Sequence, residues 1–155
     1  KARPKYQWIL VGDGKVDVTK WNLPNVKVLP RQTQNELRKF YIAADMLILP
    51  SQGEGFPLVV QEALSCGLPA AVSEEIATSL PDAPLISLDI SSITNLVSTI
   101  DKTIAAPKSL TLTSYKSIEY AKSWDWDDIA LQYEELFINS IKAVSYKNPK
   151  ALKDR

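Results

Sequence analysis

Short apolar runs alternate with helical patterns through the first half of the chain, and this alternation most constrains its fold. The runs lie at residues 6–11, 26–29, 46–49 and 70–72, and the joints between strands and helices are short. Strands of a parallel sheet are buried on both faces and therefore tend to be apolar throughout. Strands that alternate with helices favour such a sheet. The pattern predicts an α/β fold with a mainly parallel sheet and helices on both faces.

The helices of the first half carry recognisable end signals. Thr33 and Glu36 have the spacing of a capping box, so a helix is expected directly after Thr33. Residues 57–66 predict a second helix, with Gly67 as its stop. A short helix is also expected near residues 17–21. These signals place a helix after the second and the third apolar run.

The second half reads as one more strand and three helices. The strand is expected at residues 85–88, and the first two helices at 93–104, with Ser91 or Ser92 as cap, and at about 111–122. The last helix is expected to start at Asp125. Its apolar residues share one face: Trp126, Ile129, Tyr133, Leu136, Phe137 and Ile141. This face predicts a packed helix with Trp126 as its anchor.

Composition bounds the function classes. The 155 residues have 45% hydrophobic and 23% charged residues, as one globular domain would, which we expect at residues 1–146 with a basic tail at 147–155. Lys and Arg together number 18, as do Asp and Glu, so nucleic acid is not the expected ligand. One Cys and no His exclude a disulfide framework and histidine chemistry. A cytoplasmic protein is expected. The basic tail reads most simply as a solvated terminus, and peripheral contact with the inner face of the membrane is the alternative.

The most informative stretch is a strand, a glycine-containing loop and a helix at residues 46–66. In open parallel sheets, ligands bind beyond the carboxyl ends of the strands, where this loop lies. The helix start offers backbone N–H groups at Gly55, Phe56 and Leu58, together with the positive end of the helix dipole. Pro57 has no N–H and suits the first helical position. Together these features predict a phosphate-binding site.

Two carboxylates flank this predicted site. Glu62, on the helix, is suited to accept hydrogen bonds from vicinal hydroxyls, as acidic residues do with ribose in nucleotide-binding folds. Glu54, in the loop, would repel a phosphate, and so fits better against the neutral hydroxyls of a sugar attached to it. A turn at residues 53–55 and a solvated Glu62 are the simpler readings of each residue alone. The two carboxylates together favour a phosphate-linked sugar as ligand.

These residues resemble a known family. Residues 54–63 (EGFPLVVQEA) and 66–69 (CGLP) are similar to the signature of family-4 retaining glycosyltransferases of the two-domain GT-B type. The two glutamates separated by seven residues, Glu54 and Glu62, are its hallmark. The likeness extends from residue 6 to about residue 140 and includes Ser123-Trp124-Asp125. It implies a Rossmann-like domain, one half of a GT-B fold.

The resemblance also implies roles. The chain would be the donor-binding domain of an enzyme that transfers a hexose from a UDP-, GDP- or ADP-sugar with retention of configuration, without cofactor or metal. Glu54 would be the catalytic residue at the donor sugar, and Glu62 would bind the ribose. Residues 55–58 would hold the pyrophosphate. Ser51, Arg31 and Gln32 complete the expected nucleotide-sugar site, the last two near the base.

The chain also departs from the family pattern. Residues 73–77 (SEEIA) stand where the family often has a Gly-Gly loop near the sugar. The chain lacks the family's first β-α unit, which supplies basic partners for the diphosphate, and its N-terminal acceptor-binding domain. It is expected to be either a piece of a longer protein or a natural truncation. The fragment alone is therefore expected to be inactive. A dehydrogenase-type module and a degenerate, non-catalytic binding or interaction domain are the rival readings.

Three further motifs have structural explanations. Gly12-Asp13-Gly14 lacks the third glycine of a dinucleotide fingerprint and is expected to be a turn. Asp125-Trp126-Asp127 resembles a metal-binding Asp-x-Asp, but it opens a helix, where both carboxylates stabilise the N-terminus. Cys66 reads as a small core residue. No metal site is predicted.

Overall fold

A computed structural model describes residues 5–14, 17–54 and 57–147. The chain divides into two compact units, Lys1–Asp45 and Met46–Arg155. The predicted tail at 147–155 lies outside the described residues, apart from Lys147 at the end of the last helix.

The first unit contains two parallel strands and a capped helix. Strand β1 (Trp8–Val11) pairs with β2 (Val26–Leu29) in one-to-one register. A 3₁₀ turn over Val18–Trp21 lies between them, within the short helix expected there. Helix α1 (Gln34–Ala43) follows. The alternation of strand and helix predicted for this region is therefore confirmed.

The start of α1 is the predicted capping box. The Thr33 backbone N–H donates to a Glu36 carboxylate oxygen at 3.0 Å, and the Thr33 hydroxyl donates to the same oxygen at 2.8 Å. In return, the Glu36 N–H donates to Thr33 Oγ1 at 3.4 Å. The hydrogen bonds from Thr33, the backbone one first, lower the pKa of Glu36. The reciprocal bonds fix where the helix begins, because each satisfies a group that the helix leaves open.

The second unit contains a three-stranded parallel sheet. Its order is β3 (Leu47–Leu49), β4 (Ala70–Ser73) and β5 (Ile86–Leu88), with β4 in the centre. All four residues of β4 are buried, as a central parallel strand requires. The three strands predicted in this part of the chain are present to within a residue at each end.

Helix α2 (Leu58–Ser65) joins β3 to β4 and supplies much of the core. Val60 and Leu64 are buried and cluster with Val72 of β4. Helix α3 (Glu74–Ser79) begins directly after β4 and adds Ile76, which is also fully buried. This helix is not predicted from the sequence, where residues 73–77 stand out only as a departure from a glycine loop.

Helix α2 ends at a glycine that the packing requires. Gly67 has a φ of +73°, in the left-handed region, and its carbonyl accepts a 2.6 Å hydrogen bond from the Ser114 hydroxyl. A Cβ at Gly67 would lie 3.0 Å from Cδ1 of Ile118. Gly67 therefore serves both the helix end and the close approach of α5 (Pro107–Ala121).

We expect Gly67→Ala to lower the free energy of unfolding by about 1–3 kcal/mol, from left-handed strain plus overpacking against Ile118. Gly53→Ala is the matched control, because its φ is +75° and nothing lies within 4 Å of its would-be Cβ. Urea unfolding of the full-length protein measures both variants. The packing explanation is wrong if the two substitutions cost the same.

The remaining helices are α4 (Ile93–Ile104), α5 and α6 (Trp126–Lys147). Ser92 caps α4 by accepting from the Asn95 N–H at 3.1 Å, so the second of the two proposed caps is the one used. Helix α5 begins at Pro107 rather than near residue 111. The correction has a simple cause: Pro is well suited to the first helical position, where no N–H is needed.

The apolar face of α6 is not packed, contrary to expectation. Trp126 keeps 66% of its surface exposed, so it does not anchor the helix. Ile129 is the one half-buried residue of this predicted face. The other four are exposed: Tyr133, Leu136, Phe137 and Ile141. Periodicity correctly predicted an amphipathic helix, but no described element of the second unit covers its apolar side.

Candidate functional site

The candidate site lies where two neighbouring strands end. Strands β3 and β4 are adjacent and parallel, so the segments that follow Leu49 and Ser73 leave the sheet at the same edge. A loop that begins at residue 50 and is described as far as residue 54 follows β3, and helix α3 follows β4. Ligands in open parallel sheets bind at this edge. The fold therefore brings the loop, the start of α2 and the start of α3 to one edge.

The loop carries an exposed carboxylate next to a left-handed glycine. Gly53 has a φ of +75°, which Gly adopts without strain. Glu54 follows it and is exposed. Ser51, at the start of the loop, is half-buried. Gly55 and Phe56 lie outside the described residues, so their predicted contacts with pyrophosphate stay predictions.

The N-terminus of α2 has no side-chain cap. Pro57 is its N-cap residue, with φ −73° and ψ 109°, and the first turn holds no acidic side chain. Pro57 therefore lies one position before the first helical residue, not at it as predicted. Leu58 begins the helix and is 55% exposed. A helix start without its own cap leaves backbone N–H groups for another acceptor.

Glu62 lies one turn further along α2. It is four residues from Leu58, so both residues occupy the same face of the helix. Glu62 is half-buried, whereas its neighbours Ala63 and Leu64 are fully buried. A carboxylate at this depth is held by the helix instead of moving with the loop. The helix positions Glu62 at a fixed distance from the uncapped N-terminus.

Three buried polar atoms near this edge have no hydrogen-bond partner among the described residues. They are Ser51 Oγ, Gln61 Nε2 and Ser73 Oγ. A buried polar group without a partner costs about 1–3 kcal/mol, so such groups call for an explanation. Ser51 was among the predicted site residues, whereas Gln61 and Ser73 were not. Topology could have found Ser73, because it ends the strand next to β3.

A contact joins the loop to α3. The Gly53 N–H lies 3.3 Å from each carboxylate oxygen of Glu75. The two residues are 22 positions apart, and each follows a different strand of the sheet. No sequence signal singles out Glu75 from Glu74 beside it. The contact was therefore missed.

Arg31 and Gln32 belong to the first unit. Both follow β2, and the Gln32 side-chain amide donates to the Pro30 carbonyl at 2.8 Å. This bond keeps Gln32 close to its own backbone. Their predicted place near the nucleotide base stays a prediction. The same unit has a cavity of about 310 Å³, to which neither residue contributes, lined by Val18, Asn22, Leu23, Pro24, Val26 and Val28.

The alternative motifs behave as structural features. The Asp125 carboxylate accepts from the Asp127 N–H at 2.8 Å at the start of α6, which confirms the capping interpretation. Gly12 has a φ of +114°, and neither Asp13 nor Gly14 is helical, as expected of a turn. Cys66 ends α2 as a half-buried free thiol. Residues 5–14, 17–54 and 57–147 hold no cluster of three or more potential metal ligands from His, Cys, Asp and Glu.

The sequence profile of the glycosyl transferases group 1 family matches residues 1–89. This match covers more than half of the chain. The chain belongs to the glycosyl transferases group 1 family. The resemblance first seen in residues 54–69 is thereby confirmed at the level of this family.

Individual glycosyltransferases agree with this assignment. The D-inositol 3-phosphate glycosyltransferase of Segniliparus rotundus is 30% identical over 116 residues, which are 68% of this chain and 24% of that protein. The O-antigen chain mannosyltransferase B of Escherichia coli is 28% identical over 144 residues, covering 85% of this chain and 37% of that protein. The chain thus spans about a quarter to just over a third of these relatives.

A solved structure shares the fold. Sucrose-phosphate synthase from Thermosynechococcus elongatus matches with a TM-score of 0.75 at 24% identity, over 88% of this chain and 39% of that one. Together with the parallel strands and intervening helices, this likeness confirms the predicted α/β, GT-B-type fold class of the glycosyltransferase. Within the part of the chain that the structure describes, no helix has the length and apolarity needed to cross a bilayer.

Proposed function

We propose that this glycosyltransferase chain is the donor-binding domain of an enzyme that transfers a hexose from a nucleoside-diphosphate sugar with retention of configuration. The observation that carries the proposal is the uncapped N-terminus of α2, flanked by Glu54 before it and Glu62 after it. It lies at the edge of the sheet where parallel α/β folds bind ligands. The match to the glycosyl transferases group 1 family supports a sugar donor over a dinucleotide.

Each group in the site has a chemical role in this proposal. The backbone N–H groups at the start of α2 hold the diphosphate and stabilise the charge that develops on it as the sugar leaves. Glu62 accepts hydrogen bonds from the ribose hydroxyls. Glu54 contacts the donor sugar, where its negative charge stabilises the positive charge that grows on the sugar in the transition state. The buried hydroxyl of Ser51 forms a hydrogen bond with the nucleotide sugar.

The catalysis proposed here uses the protein's own dipoles and carboxylates. We propose that no metal ion is needed, because the helix dipole and N–H groups supply the positive potential that a diphosphate leaving group requires. In this proposal the acceptor binds to an N-terminal domain outside this chain. Basic residues in another part of the full-length protein bind the diphosphate. We place the reaction in the cytoplasm, with a solvated basic tail as the simpler reading and peripheral contact to the inner face of the membrane as the alternative. UDP, GDP and ADP are the candidate nucleotides.

We expect Glu62→Gln in the full-length protein to weaken binding of the bare nucleoside diphosphate by about 1–3 kcal/mol, the usual value for a hydrogen bond to a charged acceptor. Titration calorimetry with UDP, GDP, ADP and NAD measures the effect and identifies the base. Glu74→Gln, the same change on an exposed residue of α3, is the control and should bind as the parent does.

The titration also separates the rival functions. Binding of NAD in preference to every nucleoside diphosphate would favour a dehydrogenase-type module instead. A full-length protein that binds none of these ligands would indicate a degenerate domain. Unchanged affinity in Glu62→Gln would remove Glu62 from the nucleotide site.

A further inference from the structure

The contact between Gly53 and Glu75 joins two exposed segments that are far apart in the sequence. A backbone N–H faces both oxygens of one carboxylate, each at 3.3 Å, across 22 residues of sequence. It joins the segments that leave β3 and β4, which are neighbours in the sheet. At 3.3 Å from each oxygen, the hydrogen bond is long and shared between the two acceptors. The contact therefore ties the site loop to an element anchored in the core.

The backbone next to Glu75 is anchored in the core. Glu75 lies in the first turn of α3, next to Ile76, which is fully buried in the core with Val72 of β4. The loop, in contrast, has exposed residues at 52–54. The hydrogen bond between the Gly53 N–H and the Glu75 carboxylate therefore restrains an exposed loop through a helix that is packed in the core.

The restrained peptide is adjacent to the proposed catalytic carboxylate. Gly53 has left-handed backbone geometry, so the direction of its N–H depends on a conformation that other residues avoid. Glu54 is the next residue. Because the contact with Glu75 restrains the Gly53 peptide, it also restrains the direction in which the backbone continues to Glu54. A reacting group gains from such pre-orientation, and small displacements are costly.

A simpler role for Glu75 is to stabilise the start of α3 by its charge. Glu74 shares that role, because both acidic residues lie in the first turn of the helix. Among the described residues, Glu75 contacts the loop through its carboxylate, whereas Glu74 accepts from the Thr78 hydroxyl through its backbone carbonyl. The pair therefore offers a matched comparison between helix stabilisation and loop positioning.

We propose that Glu75 is a positioning residue, which holds the Gly53 peptide and through it orients Glu54 toward the donor sugar. This inference rests on the proposed function of Glu54. It assigns a purpose to a carboxylate at the junction of β4 and α3. The carboxylate acts on the loop and does not touch the reacting atoms.

The test compares Glu75→Ala, Glu75→Gln and Glu74→Ala in the full-length protein. Glu75→Ala removes the acceptor, and we expect amide hydrogen exchange at Gly53 to accelerate about 2- to 10-fold, as the loss of one exposed hydrogen bond allows. We expect kcat to fall by about 10-fold. KM for the donor and the affinity for the nucleoside diphosphate should change less than about 2-fold, because Glu62 and α2 are untouched. Glu75→Gln keeps an acceptor oxygen and should retain most of the activity, and Glu74→Ala should match the parent.

Several results would overturn the inference. One is parent-like kcat in Glu75→Ala, with or without faster exchange at Gly53. Another is an equal loss in Glu74→Ala, which would indicate helix stabilisation alone. A parent protein that binds no nucleoside diphosphate is a different failure, since it removes the proposed function itself, while the exchange rate at Gly53 still reports whether the contact exists.

Discussion

Glu54→Gln in the full-length glycosyltransferase should lower kcat by about 100- to 1,000-fold, the usual cost of removing one electrostatic contact to the transition state. Glutamine preserves the size of the side chain and removes its charge. The affinity for the bare nucleoside diphosphate should change less than about 2-fold, because Glu54 lies in the loop before α2 and contacts the sugar in our proposal. Initial rates and calorimetric titration on the same preparation measure the two effects separately.

Glu134→Gln is a matched control for this substitution, since it removes the same charge from an exposed position on α6. It should leave both kcat and nucleotide affinity unchanged. If Glu54→Gln weakens nucleotide binding as much as Glu62→Gln does, the two carboxylates do not divide the work as proposed. If kcat stays within a factor of about three of the parent, Glu54 has no catalytic role.

Leu64→Ala should lower the free energy of unfolding by about 3–5 kcal/mol, because it opens a cavity in a packed core. Leu64 is 1% exposed and lies in the cluster formed by Val60, Val72 and Ile76, where α2, β4 and α3 meet. Urea unfolding of the full-length protein, monitored by amide exchange in α2, measures the loss of unfolding free energy. The effect would be large beside the few kcal/mol that stabilise a typical domain.

Trp126→Ala is the informative comparison. Trp126 is much larger than Leu64 but 66% exposed, so its removal should cost less than about 1 kcal/mol. Volume alone would predict the opposite order. A loss at Trp126 that equals or exceeds the loss at Leu64 would show that the apolar face of α6 is covered in the full-length protein.

Local sequence signals predicted the elements well where the physics is local. The capping box at Thr33 fixed the start of α1, and the strands were found because buried parallel strands are apolar along their whole length. The short helix α3 was missed because its six residues bury Ile76 fully and otherwise give no helical repeat to recognise. Local patterns need several turns to become visible.

The misplaced features depend on packing, which a sequence pattern does not contain. The apolar spacing of α6 gives the direction of its face and says nothing about what lies against it, so Trp126 was wrongly taken as buried. Pro57 was placed one residue too far into α2, a shift within the usual variation of helix boundaries.

The sequence predicts only those parts of the candidate site that lie close together along the chain. Glu54, Pro57, Leu58 and Glu62 lie on one continuous stretch, so their order along the loop and helix followed from the sequence. Glu75 and Ser73 come from the neighbouring strand-helix junction, and only the pairing of β3 with β4 brings them to the same edge. Residues that meet through tertiary structure leave no spacing to read.

In our proposal, a nucleoside-diphosphate sugar binds at the N-terminus of α2. The most direct measurement is a crystal structure of the full-length protein with the nucleotide that binds best in the titration. We expect diphosphate oxygens within about 3.2 Å of backbone N–H groups in the first turn of α2, with the ribose hydroxyls on Glu62. A diphosphate bound elsewhere, with the start of α2 open to solvent, would contradict the account.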